Sequence, residues 1–226
     1  MPLLQVIHED ADLLVLDKPS GLLCVPGRGA DKQDCLSARA QQRWPDALVV
    51  HRLDMATSGL VLMARSPEMQ RALSQAFAEQ KIDKRYEAVV DGLLPGGSEH
   101  WHEIDAPIAA DWPRRPLRVI DPVHGKPSLT RWRVKAPLPA HRATHLELAP
   151  QSGRTHQLRV HLAHIGHPIL GDALYGSEDV QSCAPRLLLH ATRLELVHPL
   201  SGQHLCFESP APFGDIPIRS TTDSRS

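Results

Sequence analysis

Short apolar runs recur at close intervals along the chain, at residues 13–16, 47–50, 60–64, 86–90, 129–135, 144–148, 187–189, 194–197 and 205–207. Runs of this length, rich in branched apolar side chains and bounded by turn formers, predict β-strands. In the run 129–135, Thr130, Trp132 and Val134 alternate with Arg131, Arg133 and Lys135, the period-2 pattern of a strand with one wet, basic face. Two stretches carry helical spacing instead. The first has Ser66 as N-cap, Pro67 at the first helical position and Glu68 in the first turn, with Met69, Leu73, Ala76 and Phe77 on one side, and should end near Lys81. The second runs over about 155–165, with Leu158, Leu162 and Ile165 on one face, Gly166 as its C-terminal cap and Pro168 just beyond. Pro199-Leu200-Ser201-Gly202 reads as a hairpin turn. Strands outnumber helices and do not alternate with them, so the fold class expected is α+β with a mainly antiparallel sheet.

Composition narrows the class without changing the fold reading. With 226 residues, 42% of them apolar and 23% charged, the chain has enough length and apolar content for a sizeable core. No apolar stretch approaches the roughly 18 residues of a membrane span, and no basic start with an apolar run opens the chain, so a cytoplasmic protein is expected. Cys24, Cys35, Cys183 and Cys206 form no Cys-x-x-Cys pair and are expected to be reduced thiols. The chain holds fourteen histidines, yet none falls in a metal-ligand spacing, and no metal is expected. A net charge of −1 gives the whole molecule no pull on nucleic acid, so any such role must come from local clustering. One cluster exists: Arg114, Arg115, Arg118, Lys126, Arg131, Arg133 and Lys135 stand against the single acid Asp121. Residues 214–226 are expected to be a mobile tail, with the folded part ending near 213.

Two polar loops carry candidate chemistry. His51-Arg52-Leu53-Asp54-Met55-Ala56-Thr57-Ser58-Gly59 joins two apolar runs, so its polar groups sit on a loop held between core strands. On its own, Asp54 is better explained by an Asx-turn or a cap bonded to its own backbone. Gln151-Ser152-Gly153-Arg154-Thr155-His156-Gln157 sets an arginine at the expected start of the second helix, where a guanidinium can hold a carboxylate ionised. Spacing alone does not pair Arg154 with Asp54.

At these residues the sequence resembles the RluA family of pseudouridine synthases. The family signature, His/Gly-Arg-Leu-Asp, two variable residues and Thr-Ser-Gly-Leu, is matched throughout by residues 51–60. The resemblance continues in Asp17-Lys18-Pro19-Ser20-Gly21-Leu22, Lys84-Arg85-Tyr86-Glu87-Ala88-Val89, Gly153-Arg154-Thr155-His156-Gln157-Leu158-Arg159-Val160-His161, and Gly166-His167-Pro168-Ile169-Leu170-Gly171-Asp172, and spans roughly residues 5 to 212. It implies one catalytic domain on a long, bent antiparallel sheet with a central cleft, and no S4-like RNA-binding domain. It implies that Asp54 is the essential aspartate, Tyr86 the aromatic that stacks on the target base, Arg154 the ion-pair partner of the aspartate, and Arg52 an arginine that holds or replaces the flipped nucleotide. Trp112 and its neighbours, with Val25-Pro26-Gly27-Arg28, are most similar to the subgroup acting on both large-subunit ribosomal RNA and transfer RNA. The expected partner is therefore RNA, with no membrane and no obligate protein partner, and Arg114, Arg115, Arg131 and Arg133 become candidate phosphate contacts.

The implied reaction breaks the N1–C1′ bond of a uridine, turns the base and joins C5 to C1′. It is redox-neutral, and no cofactor is expected. His51, His156, His161 and His190 are expected to make structural hydrogen bonds, and Lys18 and Gly21 to shape a loop. A carboxylate-dependent nucleosidase is the other enzymatic reading, but it needs two flanking carboxylates and only Asp54 stands in a motif. A non-catalytic RNA-binding module is the remaining alternative, and would be expected to have lost Asp54 or Arg154.

Overall fold

The computed structural model describes residues 4–97 and 99–220. In chain order the strands are β1 (Gln5–Glu9), β2 (Leu13–Lys18), β3 (Leu48–Val49), β4 (Ser58–Ala64), β5 (Asp83–Asp91), β6 (His102–Asp105), β7 (Ile108–Ala110), β8 (Arg118–Ile120), β9 (Leu129–Leu138), β10 (Ala143–Pro150), β11 (Leu189–Val197) and β12 (His204–Glu208). The helices are α1 (Leu36–Arg43), α2 (Pro67–Ala78), α3 (Gln157–His164) and α4 (Glu178–Ser182). The class is α+β, and the chain falls into two compact units, one of residues 1–84 with 190–211, the other of residues 85–189 with 212–226.

The first unit is built around β4, in which every residue is buried. β2 and β3 pair antiparallel with it, β1 extends β2, and β12 pairs antiparallel with β11. The join between β4 and β11 is parallel, with His190 opposite Ser58 and Ala191 opposite Gly59. α2 covers one face. Its Met69 and Leu73 pack with Leu13 and Val15 of β2, Leu60, Leu62 and Ala64 of β4, and Leu194, Leu196 and Phe207. Each such side chain contributes about 1.5–3 kcal/mol on burial. The helix begins as the sequence predicts, with the Ser66 hydroxyl accepting from the Met69 N–H at 3.1 Å and Pro67 in the first turn, and it ends at Ala78, slightly before the expected Lys81.

In the second unit β10 lies between β5 and β9, antiparallel to both, and β6 extends β9. The pleat puts Tyr86, Leu148 and Trp132 on one face, and Glu87, Glu147 and Arg133 on the other. The alternation expected for 129–135 is what β9 shows: Thr130, Trp132 and Val134 are buried and Arg131, Arg133 and Lys135 are not. α3 docks on the first of these faces through Gln157 and His161, which both hydrogen-bond Thr130. β7 and β8 form a separate two-stranded ribbon.

Two differences from the sequence-based expectations have physical causes. α1 carries no local signal: it buries only Leu36, Ser37 and Ala40, and its N-cap, Cys35, supplies no side-chain hydrogen bond. α3 begins at Gln157 rather than near 155, because His156 takes a left-handed backbone (φ 58°) that no helix continues. Arg154 is consequently a loop residue, not a first-turn residue. In the stretch 214–220, the Arg219 N–H donates to Cys183 O at 2.8 Å and the Ser220 hydroxyl to Ala140 O at 2.9 Å, and Phe213 just before it is buried. Residues 221–226 of the expected tail lie outside the described residues.

Candidate active site

The loop that carries Asp54 spans the gap between β3 and β4 and is fastened at nearly every step. His51 opens it. Its Nε2 accepts the Leu62 N–H at 2.9 Å and its ring lies 4.4 Å from that of Phe77. Burial, aided by the Lys84 charge, pushes the His51 imidazole down to about 3, so the ring stays neutral and keeps that acceptor. The N–H of Leu53, itself buried, donates to the Cys24 sulfur at 3.2 Å. Burial raises the Cys24 thiol, which keeps it protonated and inert beside the loop.

The turn itself is closed by the Thr57 N–H donating to Asp54 O at 3.1 Å. Beneath it lies Lys18, with 0% of its surface exposed. Its ammonium donates to Pro19 O at 2.9 Å, Leu22 O at 2.8 Å and Met55 O at 3.1 Å. The Gly21 N–H donates to the same Met55 O at 2.8 Å, and the Ser20 hydroxyl to Ala56 O at 2.7 Å. The 18–21 segment thus holds the two carbonyls that follow Asp54, with a buried cation as the central donor. The loop expected from Lys18 and Gly21 is there, but its purpose is to fix the Asp54 turn.

The far end of the loop is tied to β11. Ser58 Oγ and His190 Nδ1 are 2.9 Å apart, and His190 Nε2 reaches Ser209 Oγ at 3.0 Å. Ser209 in turn donates to Asp17, so its oxygen accepts from His190 and the proton sits on Nε2. Ser58, His190 and Ser209 are all buried. Next to them, Gly59 has φ +110°, and a Cβ there would lie 2.3 Å from Ala191 O and 2.5 Å from Ala191 N. Two residues of the signature's Thr-Ser-Gly thus have a side-chain reason, the buried hydroxyl of Ser58 and the strand approach at Gly59 that admits no side chain, while the buried Thr57 closes the turn through its backbone N–H. Asp54 is half-buried and Arg52 exposed.

Tyr86 and Arg154 belong to the second unit. Tyr86 is half-buried on β5, opposite Leu148. Arg154 is exposed, in a loop organised by one amide. Gln157 Oε1 accepts from the Ser152 hydroxyl at 2.8 Å and the Arg154 N–H at 3.0 Å, while its Nε2 donates to Leu129 O and Thr130 Oγ1, both at 3.0 Å. The Arg154 Nε donates to Pro127 O at 3.3 Å. Arg159 of α3 and Asp172, beyond the helix, make a buried two-pronged pair at 2.8 and 2.6 Å, and Asp172 also accepts the N–H groups of Leu174 and Tyr175. His161 bridges Thr130 and Ala106 O at 2.9 Å each, and burial lowers its affinity for a proton.

The candidate phosphate contacts are more engaged than their sequence pattern shows. Arg133 pairs with Glu147 at 2.7 Å, Lys135 with Glu87 at 2.6 Å, and Arg131 with Glu103 at 3.5 Å. Trp101 lies among Arg85, Arg131 and Arg133, at 5.7, 5.2 and 4.7 Å. Arg114 is turned onto Asp111 at 2.7 Å, whereas Arg115 lies over the Trp112 ring at 3.5 Å. Glu103 and Glu147 escape sequence reasoning because they reach β9 from the adjacent strands β6 and β10, and Glu87 because it comes from β5, one strand further on. Tyr175 and Ser209 likewise have no local signal, and the bracing role of His190 depends on both of its distant partners. Among the described residues no group of His, Cys, Asp and Glu is placed to hold a metal, and no helix is long and apolar enough to cross a membrane.

Comparison with known proteins follows the same lines. Residues 12–164 match the model of the RNA pseudouridylate synthase family. The dual-specificity RNA pseudouridine synthase RluA of Escherichia coli K12 is 42% identical over 212 residues, 94% of this chain and 95% of that protein. The protein of the same description from Haemophilus influenzae is 39% identical over the same shares. The solved structure of human RNA pseudouridylate synthase domain containing 1 superposes with a TM-score of 0.75 at 26% identity, covering 99% of this chain and 91% of that one. A family model matched over more than half the chain, joined to near-full-length relatives, agrees with a signature loop whose Thr57, Ser58 and Gly59 each have a structural task here: the chain belongs to the RNA pseudouridylate synthase family and is an isomerase that converts uridine to pseudouridine in RNA.

Proposed function

We propose that this enzyme modifies uridines in large-subunit ribosomal RNA and in transfer RNA, in the cytoplasm, with Asp54 as the catalytic carboxylate. The observation that carries the Asp54 assignment is the fastening of its turn. A carboxylate is held half-buried on a loop whose neighbouring carbonyls are fixed by the Lys18 ammonium, the Gly21 N–H and the Ser20 hydroxyl. Such preorganisation is what a reacting group needs and a surface turn does not. The identity of 42% to a dual-specificity RluA over 94% of the chain supports the two RNA classes.

In the reaction the N1–C1′ bond breaks, the uracil turns, C5 bonds to C1′, and the hydrogen displaced from C5 is balanced by one gained at N1. Asp54 acts in its ionised form, either adding to the sugar or removing a ribose proton so that the glycosidic bond can break. Arg154 serves as the ion-pair partner of that carboxylate. Tyr86 stacks on the flipped base, returning about 1–3 kcal/mol of an unstacking cost of a few kcal/mol. Arg52 holds or replaces the flipped nucleotide, and Arg114, Arg115, Arg131 and Arg133 contact phosphates. No atom leaves the product and no electron is transferred, so the chemistry calls for no cofactor. Pseudouridine mapping in cellular RNA with and without the gene tests the substrate assignment. Sites in ribosomal RNA and in transfer RNA should vanish on deletion and return with the parent gene but not with Asp54→Asn; loss confined to one RNA class would overturn the dual assignment.

A further inference from the structure

The loop between β7 and β8 sets a tryptophan on the surface. Trp112 is 69% exposed. The chain's other three tryptophans are covered: Trp44 and Trp132 are buried, and Trp101 lies among three arginines. A lone exposed apolar residue is ordinary, so exposure by itself says little. What sets Trp112 apart is the loop that presents it. Asp111 is buried, and its carboxylate accepts the Arg114 N–H at 3.2 Å and Nε at 2.7 Å. The Asp111 N–H donates to Leu117 O at 3.1 Å and the Leu117 N–H to Arg114 O at 3.0 Å. Arg114 is thereby tied back to Asp111 with its side chain still 70% exposed, while Arg115 lies with its guanidinium 3.5 Å over the indole. One ring face is covered by a cation and the exposed remainder faces water, on a loop closed by its own hydrogen bonds.

The loop is also linked to the segment that carries Arg154. Where it re-enters β8, the Arg118 N–H donates to the Tyr175 hydroxyl at 2.9 Å, and that hydroxyl meets His156 Nδ1 at 2.7 Å. An ordered indole backed by a guanidinium matches the chemistry of a nucleotide with its base unpaired: the π-face takes the base and the cation takes the adjoining phosphate. Paired RNA hides its base faces, so the occupant is a loop or bulge nucleotide.

We propose that Trp112 and Arg115 form a stacking platform for an unpaired base of the substrate RNA other than the target uridine. The platform rests on the reading that this chain acts on RNA and adds a requirement to it: the target must lie in a loop or bulge with a second unpaired base in reach. Every base has a π-face, so the platform selects for an unpaired position rather than for a particular base.

The test uses a stem-loop RNA that the parent enzyme modifies, a series of the same RNA with single abasic nucleotides walked through its loop, and the variants Trp112→Ala, Trp112→Phe and Arg115→Ala. Trp112→Ala should raise KM by about 5- to 100-fold with kcat held within about two-fold, and Trp112→Phe should recover most of the loss. One abasic position should raise the parent's KM by a similar factor and add nothing further to Trp112→Ala. Arg115→Ala should reduce the salt slope of binding by about one unit. Thermal melting at the parent's temperature establishes that the variants fold; should Trp112→Ala melt lower, Trp112→Phe against the abasic series carries the comparison. A KM unchanged in Trp112→Ala, or abasic losses that add to it at every position, would overturn the platform. A parent enzyme that forms no pseudouridine on any RNA would instead overturn the reading on which the platform rests.

Discussion

Tyr175 and His156 share a hydrogen bond of 2.7 Å between the phenol oxygen and Nδ1, and the same oxygen accepts the Arg118 N–H at 2.9 Å. His156 holds the left-handed backbone that ends the Arg154 loop, and Arg159 stacks over the Tyr175 ring at 5.2 Å. Tyr175→Phe keeps the ring and its stacking but removes both hydrogen bonds. It should cost about 1–3 kcal/mol of stability, read by denaturant unfolding, and lower kcat/KM by about ten-fold as the Arg154 loop loosens. A variant with parental kcat/KM would show that the two loops are set independently of this hydroxyl.

Asp54→Asn keeps the shape and most hydrogen bonding of the side chain but removes its charge. Pseudouridine formation should be abolished while RNA affinity stays within a few-fold of the parent, because phosphate contacts and stacking lie elsewhere. An asparagine serves a turn as well as an aspartate does, so a purely structural Asp54 would leave activity nearly intact. The assay needs mass spectrometry to show that no deamidation has restored the carboxylate.

His51 makes stability depend on pH. Its folded-state value of about 3 lies below the unfolded value of 6.5, so the unfolded chain takes up the proton first. The contribution of His51 is complete above 6.5 and is lost as pH falls toward 3, at about 1.4 kcal/mol per pH unit. His161, lowered in the same direction by burial, adds to the slope. His51→Gln should flatten the decline between about pH 6.5 and 4.5, a window chosen above the carboxylates, measured by urea unfolding at fixed ionic strength. An unchanged slope would mean that the ring is charged in the folded protein.

Arg131 and Arg133 each have a glutamate close by, Glu103 and Glu147. Replacing both arginines with alanine removes two cations and leaves those carboxylates without them. Binding should weaken, and the salt slope should fall by up to roughly one unit for each phosphate that is no longer neutralised. A slope equal to the parent's, measured across about 50–200 mM salt, would assign the two arginines to the sheet's own ion pairs.

The signature loop is legible in sequence because its residues are contiguous, although the partners that brace them lie far along the chain. Ser66 and Pro67 announce α2 for the same reason, as does the alternation of β9. Illegible features are those settled at a distance. α1 is a polar helix without a cap signal, and the glutamates beside Arg131 and Arg133 come from other strands. The left-handed His156 is a conformation that a side chain adopts only when its surroundings insist, and Gln157 and Tyr175 on either side of it supply that insistence. Local composition cannot announce such a residue, so the pattern places the helix two residues early and Arg154 with it.

The bonds that finish the Asp54 loop also fix when in the life of the chain it can form. Ser58 meets a histidine 132 residues further along, and Asp17 meets a serine 192 residues further along. Synthesis proceeds at about 5–20 residues per second, and pairings this far apart in sequence form late. A nascent chain therefore carries the complete signature for many seconds before β11 and Ser209 exist to brace it. Near the ribosome, where unfinished enzyme and potential substrate are close together, that delay keeps the loop unfinished until residues 190–209 have been made. A product truncated before Ser209 would hold Asp54, Thr57 and Gly59 in full and lack the far anchor of the loop they share.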